Sequence, residues 1–419
     1  MSRGLVVAGV SQRTNSVETR ERLALDRAQA GALASSIAAR PEIDEALVLS
    51  TCERTELYAL AGDTELASAV LREQLDELAG PLEAEPLELS GQRAAVHLMR
   101  VAAGLESVVL GETEILGQVR RAGELARERR ASAYVLGHLV QAALVAGRRV
   151  REETEIARGR ASLGSAAVDL ARQLARSRDA ARALVLGSGE TGAQVARALR
   201  SEGFALSIAA RHSSDRAIRL AQEVGASLVD LEGQLFEALV EADVVISCTG
   251  APHRLVASET LIDVIERRAG RELVVLDLAM PRDFDPRAKA VRRVRLYDLD
   301  DLREVVGETA LRRSWARPAA EAIVAEEAER FRRWFSALGA VPTIKDLRSH
   351  SRKTVLDALK ASGLADGADE QLLHAASDAI VARLLHTPTI RLRAAAELGD
   401  ADGLMPSVRA LFALDVPGR

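Results

Sequence analysis

Cys52 stands in the run Leu49-Ser50-Thr51-Cys52-Glu53-Arg54-Thr55-Glu56-Leu57-Tyr58, directly behind an apolar stretch and among polar groups. A thiolate attacks carbonyl carbon far better than a hydroxyl does, and Arg54, two positions on, carries a charge that both favours a thiolate and can hold a carboxylate. The competing role is that of a small hydrophobe at a strand end. The other cysteine, Cys248, follows apolar strand residues and reads as core rather than catalyst.

A second group with chemical meaning is Gly187-Ser188-Gly189-Glu190-Thr191-Gly192, whose GxGxxG spacing falls between a strand-like and a helix-like run. Such a turn needs glycine where the chain reverses, where backbone meets a pyrophosphate, and where the helix packs on its strand, with the helix N-terminus facing the anion. That context distinguishes a dinucleotide site from an ordinary glycine-rich turn. The end of the next strand selects the cofactor. Ala209-Ala210-Arg211-His212-Ser213-Ser214 has no acid for ribose hydroxyls and offers donors for a 2′-phosphate, Arg211 and Ser213 foremost, so NADPH is expected. Thr249-Gly250 lies at the carboxyl edge where a nicotinamide passes. A thiol and a hydride donor together suggest a thioester on Cys52 that is reduced to an aldehyde, or the reverse.

These residues need a scaffold. Residues 4–10 read as a strand, 16–40 as helix and 46–49 as a second strand, a compact α+β opening. Residues 90–153 turn helical, with Val96, Met99 and Ala103, then Ile115, Val119, Ala122 and Ala126, then Leu139, Ala142 and Ala146 at helical spacing; Gly104 and Gly111 punctuate them. Short apolar strands at 183–186, 206–209, 244–247, 273–276 and 294–296 alternate with helical segments, the pattern of a parallel doubly wound sheet. Asp298-Leu299-Asp300-Asp301-Leu302 is an acidic helix start, followed by a charge-rich helical stretch to about 338 in which Gly307 and Pro318 predict a kink. Val341-Pro342-Thr343 breaks it, 344–397 is helical again, and the last dozen or so residues read as a mobile tail.

Composition narrows the classes. A chain of 419 residues exceeds one ordinary core, so two or three domains are expected. It shows neither an apolar run of membrane-spanning length nor a secretory pattern at Met1, and its two cysteines have no CxxC spacing, so a cytoplasmic protein without a catalytic metal is expected. A net charge of -5 gives no global pull toward nucleic acid, and 3% aromatic residues leave few stacking platforms. Only four of the 56 basic residues are lysine, a bias more uniform than phosphate recognition produces. Arg148, Arg149 and Arg151, or Arg312, Arg313 and Arg317, are candidates for phosphate contact and equally for a solvated helix face.

The runs Ser50-Thr51-Cys52-Glu53-Arg54-Thr55-Glu56, His97 to Ser107, and Leu110-Gly111-Glu112-Thr113-Glu114-Ile115-Leu116-Gly117-Gln118-Val119 occur in this order ahead of the glycine turn. Asp277-Leu278-Ala279-Met280-Pro281-Arg282, the Asp298 to Leu302 helix start, Val341-Pro342-Thr343-Ile344 and Leu385-His386-Thr387-Pro388-Thr389 follow it. Together they resemble the glutamyl-tRNA reductase family over nearly the whole chain. The resemblance implies that Cys52 attacks the ester of glutamyl-tRNA, releases tRNA and holds a glutamyl thioester. NADPH then reduces that thioester to glutamate-1-semialdehyde, the opening of the five-carbon route to tetrapyrroles. It places Thr51, Glu53, Arg54, Ser107, Glu112, Thr113, Glu114 and Gln118 in the substrate pocket and gives the His97 position a part in activity.

The resemblance also implies an α/β multidomain architecture. A catalytic α+β domain (1–156), a Rossmann-type NADP-binding domain (157–297) with its cofactor turn at Gly187, Ser188, Gly189, Glu190, Thr191 and Gly192, and a long linking helix with an all-α dimerisation domain (298–419) are expected. A homodimer follows, with a glutamate-1-semialdehyde aminomutase as a candidate partner. Hydride transfer requires the domains to approach each other, and the stretch 157–163, rich in Gly and Ser, reads as the hinge whose swing gates reduction. The chain departs from the family at Glu53, usually Asn, and at Glu114, usually Gln. A carboxylate beside the nucleophile raises a thiol's pKa, so Glu53 must point away or pair with an arginine. The rivals are another cysteine-dependent NADP acyl or semialdehyde reductase, and a non-catalytic dinucleotide sensor.

Overall fold

The computed structural model describes residues 3–80, 82, 84–112, 114–157, 163–175, 181–210, 215–302, 316–362, 369–398 and 401–414. They group into two compact units, 3–325 and 326–419. The expected boundaries near 156 and 297 both fall inside the first.

Its N-terminal part is an antiparallel sheet in the order β2-β3-β1-β4, made of β1 (Gly4–Ser11), β2 (Glu45–Ser50), β3 (Arg54–Ala61) and β4 (Leu87–Ser90). Helices α2 (Arg27–Ala38) and α3 (Thr64–Ala79) cover one face through a core that includes Val6, Ala8, Ile37, Leu57 and Leu71. The single helix expected over 16–40 is instead two, because Asp26 closes a capping box with Gln29 at the start of α2, ending the preceding α1 (Val17–Arg22) as a separate turn and a half. The strands β3 and β4 were not expected. In β3, charged residues at 54 and 56 interrupt the apolar alternation although every residue of the strand is buried.

The helical region resolves into α4 (Gln92–Ala102), α5 (Glu114–Glu128) and α6 (Val135–Glu153). Between α4 and α5 the chain turns at Gly104 and Gly111, with φ of 72° and 78°. A Cβ on Gly111 would lie 2.4 Å from the Ile156 carbonyl oxygen, so only glycine lets this loop close. The start of α6 is held by one buried carboxylate: Glu45 of β2 accepts the backbone N–H groups of Ala133, Tyr134, Val135 and Leu136 at 2.8–3.1 Å. Those N–H groups are the orphan donors that every helix start must satisfy.

Beyond α7 (Leu163–Ala175), six strands form a parallel sheet in the order β10-β9-β8-β5-β6-β7: β5 (Arg182–Leu186), β6 (Ala205–Ala210), β7 (Ser227–Asp230), β8 (Val244–Ser247), β9 (Leu273–Asp277) and β10 (Val294–Tyr297). This is the doubly wound order with its switch between β5 and β8, and α8 (Glu190–Ser201) follows β5 directly. The five expected strands are present; the sixth, β7, is a half-exposed edge strand with too few buried residues to announce itself.

The second unit is helical. Within the stretch expected to run to 338, α12 spans Arg317–Leu338. Pro318 sits in its first turn, where a missing N–H costs nothing, and so does not kink it; Gly307 lies outside the described residues. Helix α13 (Val341–Ala361) likewise begins with Pro342 in its first turn, so the break falls at Gly339-Ala340. Then follow α14 (Glu370–Leu384), α15 (His386–Glu397) and α16 (Ala401–Leu411) around Ile344, Leu347, Val381, Leu385, Leu392 and Met405. Part of the expected tail is therefore packed helix, with Val408 and Leu414 against that core. Among the described residues no helix is long and apolar enough to cross a membrane.

Replacing Glu45 by Ala strips four helix-start N–H groups of their acceptor. Chemical denaturation is expected to show a loss of roughly 2–4 kcal/mol, at the upper end of capping effects because the site is buried; a loss below 0.5 kcal/mol contradicts this role.

Candidate active site

Cys52 occupies the tip of the β2–β3 hairpin. Ser50 faces Thr55 in register and Thr51 N–H donates to the Arg54 carbonyl at 2.8 Å, leaving only Cys52 and Glu53 at the turn. The Thr51 hydroxyl accepts the backbone N–H groups of Glu53 and Arg54, both at 3.2 Å, so Thr51 shapes the turn. Cys52 is half-buried, and its side chain packs against the hydrophobic core of the parallel-sheet region together with Cys248, Met280 and Tyr297. The antiparallel sheet therefore delivers its cysteine directly onto the dinucleotide-type fold. Cys248, expected in the core, is partly buried and packs against it.

Beneath the turn lies a buried polar network that the sequence did not reveal as such. Glu56 Oε1 accepts Arg54 Nη1 at 3.1 Å and His97 Nε2 at 2.9 Å, and Glu56 Oε2 accepts the Tyr58 hydroxyl at 2.6 Å. Burial pushes the Glu56 carboxyl up, but the His97 ring and the Arg54 guanidinium outweigh it and hold the group down at about 2. Arg54 also donates Nη2 to the Glu106 carbonyl at 2.6 Å and is only 2% exposed, which leaves Nε as its nitrogen without a protein acceptor. The clue was the spacing 54, 56, 58, which puts three polar side chains on one face of a strand.

Glu53 does what its position demands. Its carboxylate accepts the Val108 N–H at 3.2 and 3.3 Å and lies 3.7 Å from Arg54 Nη2. Glu112 takes the Ser107 hydroxyl at 3.2 Å, and both are buried. Glu114 accepts the Thr191 hydroxyl at 3.0 Å, while its Oε1 is buried with no hydrogen-bond partner. Burial first, then the carboxylates of Glu53, Glu112 and Glu114, push the Cys52 thiol up, against a smaller pull from Arg20. Burial, Glu53 and Glu114 likewise raise Glu112 well above the usual carboxylate range. Gln118 stands one turn after Glu114 in a cleft with Ser50 and Arg121; Thr113 lies outside the described residues.

Arg151, a candidate phosphate contact, is instead tied into this region: its guanidinium donates to the carbonyls of Ala102, Gly147 and Glu112. Arg149 pairs with Glu153 and Arg317 with Glu321, while Arg312 and Arg313 lie outside the described residues.

The glycine turn fits a dinucleotide. Gly187 has φ 96°, and a Cβ there would stand 3.0 Å from the Cys248 carbonyl; a Cβ on Gly192 would stand 2.3 Å from the Gly187 carbonyl. Gly189, by contrast, faces open space and caps α8 without a side chain, so the helix-start N–H groups are left for an outside anion. Two bonds join this turn to α5, Thr191 to Glu114 and Arg121 Nη1 to Glu190 at 3.0 Å. At the carboxyl edge, Asp283 takes the hydroxyls of Ser247 at 2.5 Å and Thr249 at 2.6 Å. Arg211 and Ser213 lie outside the described residues.

A parallel doubly wound sheet with this turn, set against a half-buried cysteine, fits the class of NADP-dependent oxidoreductases. Family models agree: residues 8–154 match the glutamyl-tRNA reductase N-terminal domain, 169–305 the shikimate/quinate 5-dehydrogenase family, and 319–414 the glutamyl-tRNA reductase dimerisation domain. A glutamyl-tRNA reductase of Sorangium cellulosum is 36% identical over 98% of this chain and 82% of its own length. One of Pelotomaculum thermopropionicum is 35% identical over 99% of this chain and 95% of its own. The solved glutamyl-tRNA reductase of Methanopyrus kandleri is 28% identical with a TM-score of 0.50, covering 98% of this chain and 99% of that one. The chain belongs to the glutamyl-tRNA reductase family.

Two outcomes follow from the electrostatics. Glu56 is held at about 2 in the fold against an ordinary 4.5, so its contribution, on the order of 3 kcal/mol, is complete above pH 4.5 and is lost as pH falls toward 2. Glu56→Gln is expected to destabilise by about 3–5 kcal/mol at pH 7, because it removes the nearer counter-charge of buried Arg54 and leaves only Glu53 at 3.7 Å, and to flatten the acid limb of the stability profile. Denaturant titrations across pH measure both. Glu53→Gln keeps an acceptor for Val108 but removes a negative charge beside Cys52. Alkylation of Cys52 by iodoacetamide at fixed pH should then speed up roughly tenfold, its pH profile moving down; an unchanged profile means that Glu53 does not act on the thiol.

Proposed function

We propose that the protein reduces glutamyl-tRNA to glutamate-1-semialdehyde with NADPH, releasing tRNA, as the first step of five-carbon tetrapyrrole synthesis. The observation that carries this is Cys52 at a hairpin tip packed against the dinucleotide-type fold, with Glu114 reaching the cofactor turn. In the first half-reaction Cys52 Sγ attacks the ester carbonyl, the bond to the tRNA ribose oxygen breaks, and the thiol proton leaves to complete the tRNA hydroxyl. Because burial and neighbouring carboxylates favour the protonated thiol at rest, deprotonation accompanies attack. Thr51, Ser107, Gln118, Thr113 and Arg54, through its Nε, line the glutamyl group; His97 holds the Glu56 network under the turn.

Gly187 to Gly192, with Arg211 and Ser213 for the 2′-phosphate, would hold NADPH, which would supply the hydride for reduction of the thioester to aldehyde; the Cys52 thiolate released then takes up a proton to restore the thiol. Transfer requires a reacting distance of about 3–3.5 Å, so the cysteine turn and the carboxyl edge at Thr249 must be pressed together. Residues 1–156, 157–297 and 298–419 then serve as catalytic, cofactor and dimerisation segments. The match of 319–414 to a dimerisation domain supports a homodimer. A cytoplasmic location and transfer of the unstable aldehyde to an aminomutase complete the reading.

The test is to incubate the protein with glutamyl-tRNA labelled in the amino acid, without NADPH. Label is expected on the protein and absent from Cys52→Ser, with activity reduced by at least about 10³-fold in that variant. Label that persists without Cys52 refutes the thioester route.

A further inference from the structure

The short helix α1 is gripped from the dinucleotide-type fold at both of its faces. Arg282, after β9, donates to Glu21 at 2.6–2.9 Å through its backbone N–H, Nε and Nη2, and to Glu18 through Nη1 at 2.9 Å. Asp300, after β10, accepts the Val17 N–H at 3.0 Å and Arg20 Nη2 at 2.6 Å. Arg20 is the junction of this grip with the active site, because its Nη1 donates to the backbone carbonyl of Cys52 at 2.7 Å. Its side chain is 3% exposed, while Asp300 is 35% exposed, so a buried guanidinium carries a charge-assisted contact from a partly solvated carboxylate to the Cys52 carbonyl. Holding the Cys52 carbonyl fixes the peptide plane and with it the direction in which the thiol leaves the hairpin tip.

We propose that Arg20 is a positioning residue through which docking of the dinucleotide fold, sensed at Asp300, sets the Cys52 turn for hydride delivery. One guanidinium holds both ends, so the approach of the cofactor domain and the placement of the nucleophile are a single event. The glutamyl-transfer step draws on Cys52 and the residues of the N-terminal region that hold the glutamyl group, whereas reduction also needs the turn aligned with the cofactor fold. Loss of Asp300 therefore leaves acylation nearly intact and weakens reduction. The inference rests on Cys52 carrying the thioester.

The test uses the full-length protein in single turnover, with labelled glutamyl-tRNA added first and NADPH second. In Asp300→Asn, acylation of Cys52 is expected to stay within about twofold of the parent, while reduction of the acyl-enzyme falls roughly tenfold or more. The thioester then partitions toward free glutamate by hydrolysis, and Asp300→Glu, which keeps the charge, restores much of the aldehyde. Arg20→Gln with Asp300→Asn should lose no more reduction than the worse single variant. Equal losses in acylation and reduction, no loss in either, or additive losses in the double variant overturn the proposal, with thermal midpoints recorded to confirm folding. Absence of label on the parent's Cys52 instead removes the thioester reading, and this inference with it.

Discussion

Everything at the active site depends on one carboxylate that has no access to water. Glu56 is 1% exposed, and a bare charge there is untenable unless several donors surround it. Arg54, His97 and Tyr58 meet that need, and in doing so they join β3 to α4. Arg54 then reaches Glu53 and the Glu106 carbonyl, so the turn that carries Cys52 and the loop that carries Ser107 and Glu112 hang from the same buried charge pair. Such a network is costly if any member is missing, which fixes its geometry.

Above it the balance of charge is reversed. Three carboxylates and a largely enclosed surrounding keep Cys52 a thiol at rest, which spares it from adventitious electrophiles and makes its reactivity conditional on a proton acceptor. Two of the three, Glu53 and Glu114, have partners of their own. Glu53 is satisfied by Arg54 and Val108; Glu114 spends one oxygen on the cofactor turn. The extra negative charge is thus anchored rather than free, and it binds the two halves of the site to each other through Thr191.

What the sequence disclosed and what it concealed divides by range. The glycine turn was legible because its spacing is a local signature: Gly192 is required by the Gly187 carbonyl five residues back, although Gly187 itself is crowded by the distant Cys248 carbonyl. The five strands of the parallel sheet were legible because burial on both faces makes them continuously apolar. The β3 network was not, since Arg54 and Glu56 look like surface residues until His97, 41 positions beyond Glu56, is brought beneath them. Nor was Arg20, whose partners are 32 and 280 residues away. Pro318 and Pro342 misled because proline spacing marks a helix start as readily as a kink.

The register of the β2–β3 hairpin has a mechanical meaning. With only Cys52 and Glu53 between paired strands, and the Glu53 carbonyl held by Gln12 N–H of β1's end, Cys52 has no loop of its own. A flexible loop could adjust by torsion; this thiol is a fixed point on a rigid plate of strands, like a stylus on an arm. Its travel is the travel of the whole sheet together with α1, which meets the tip through Arg20.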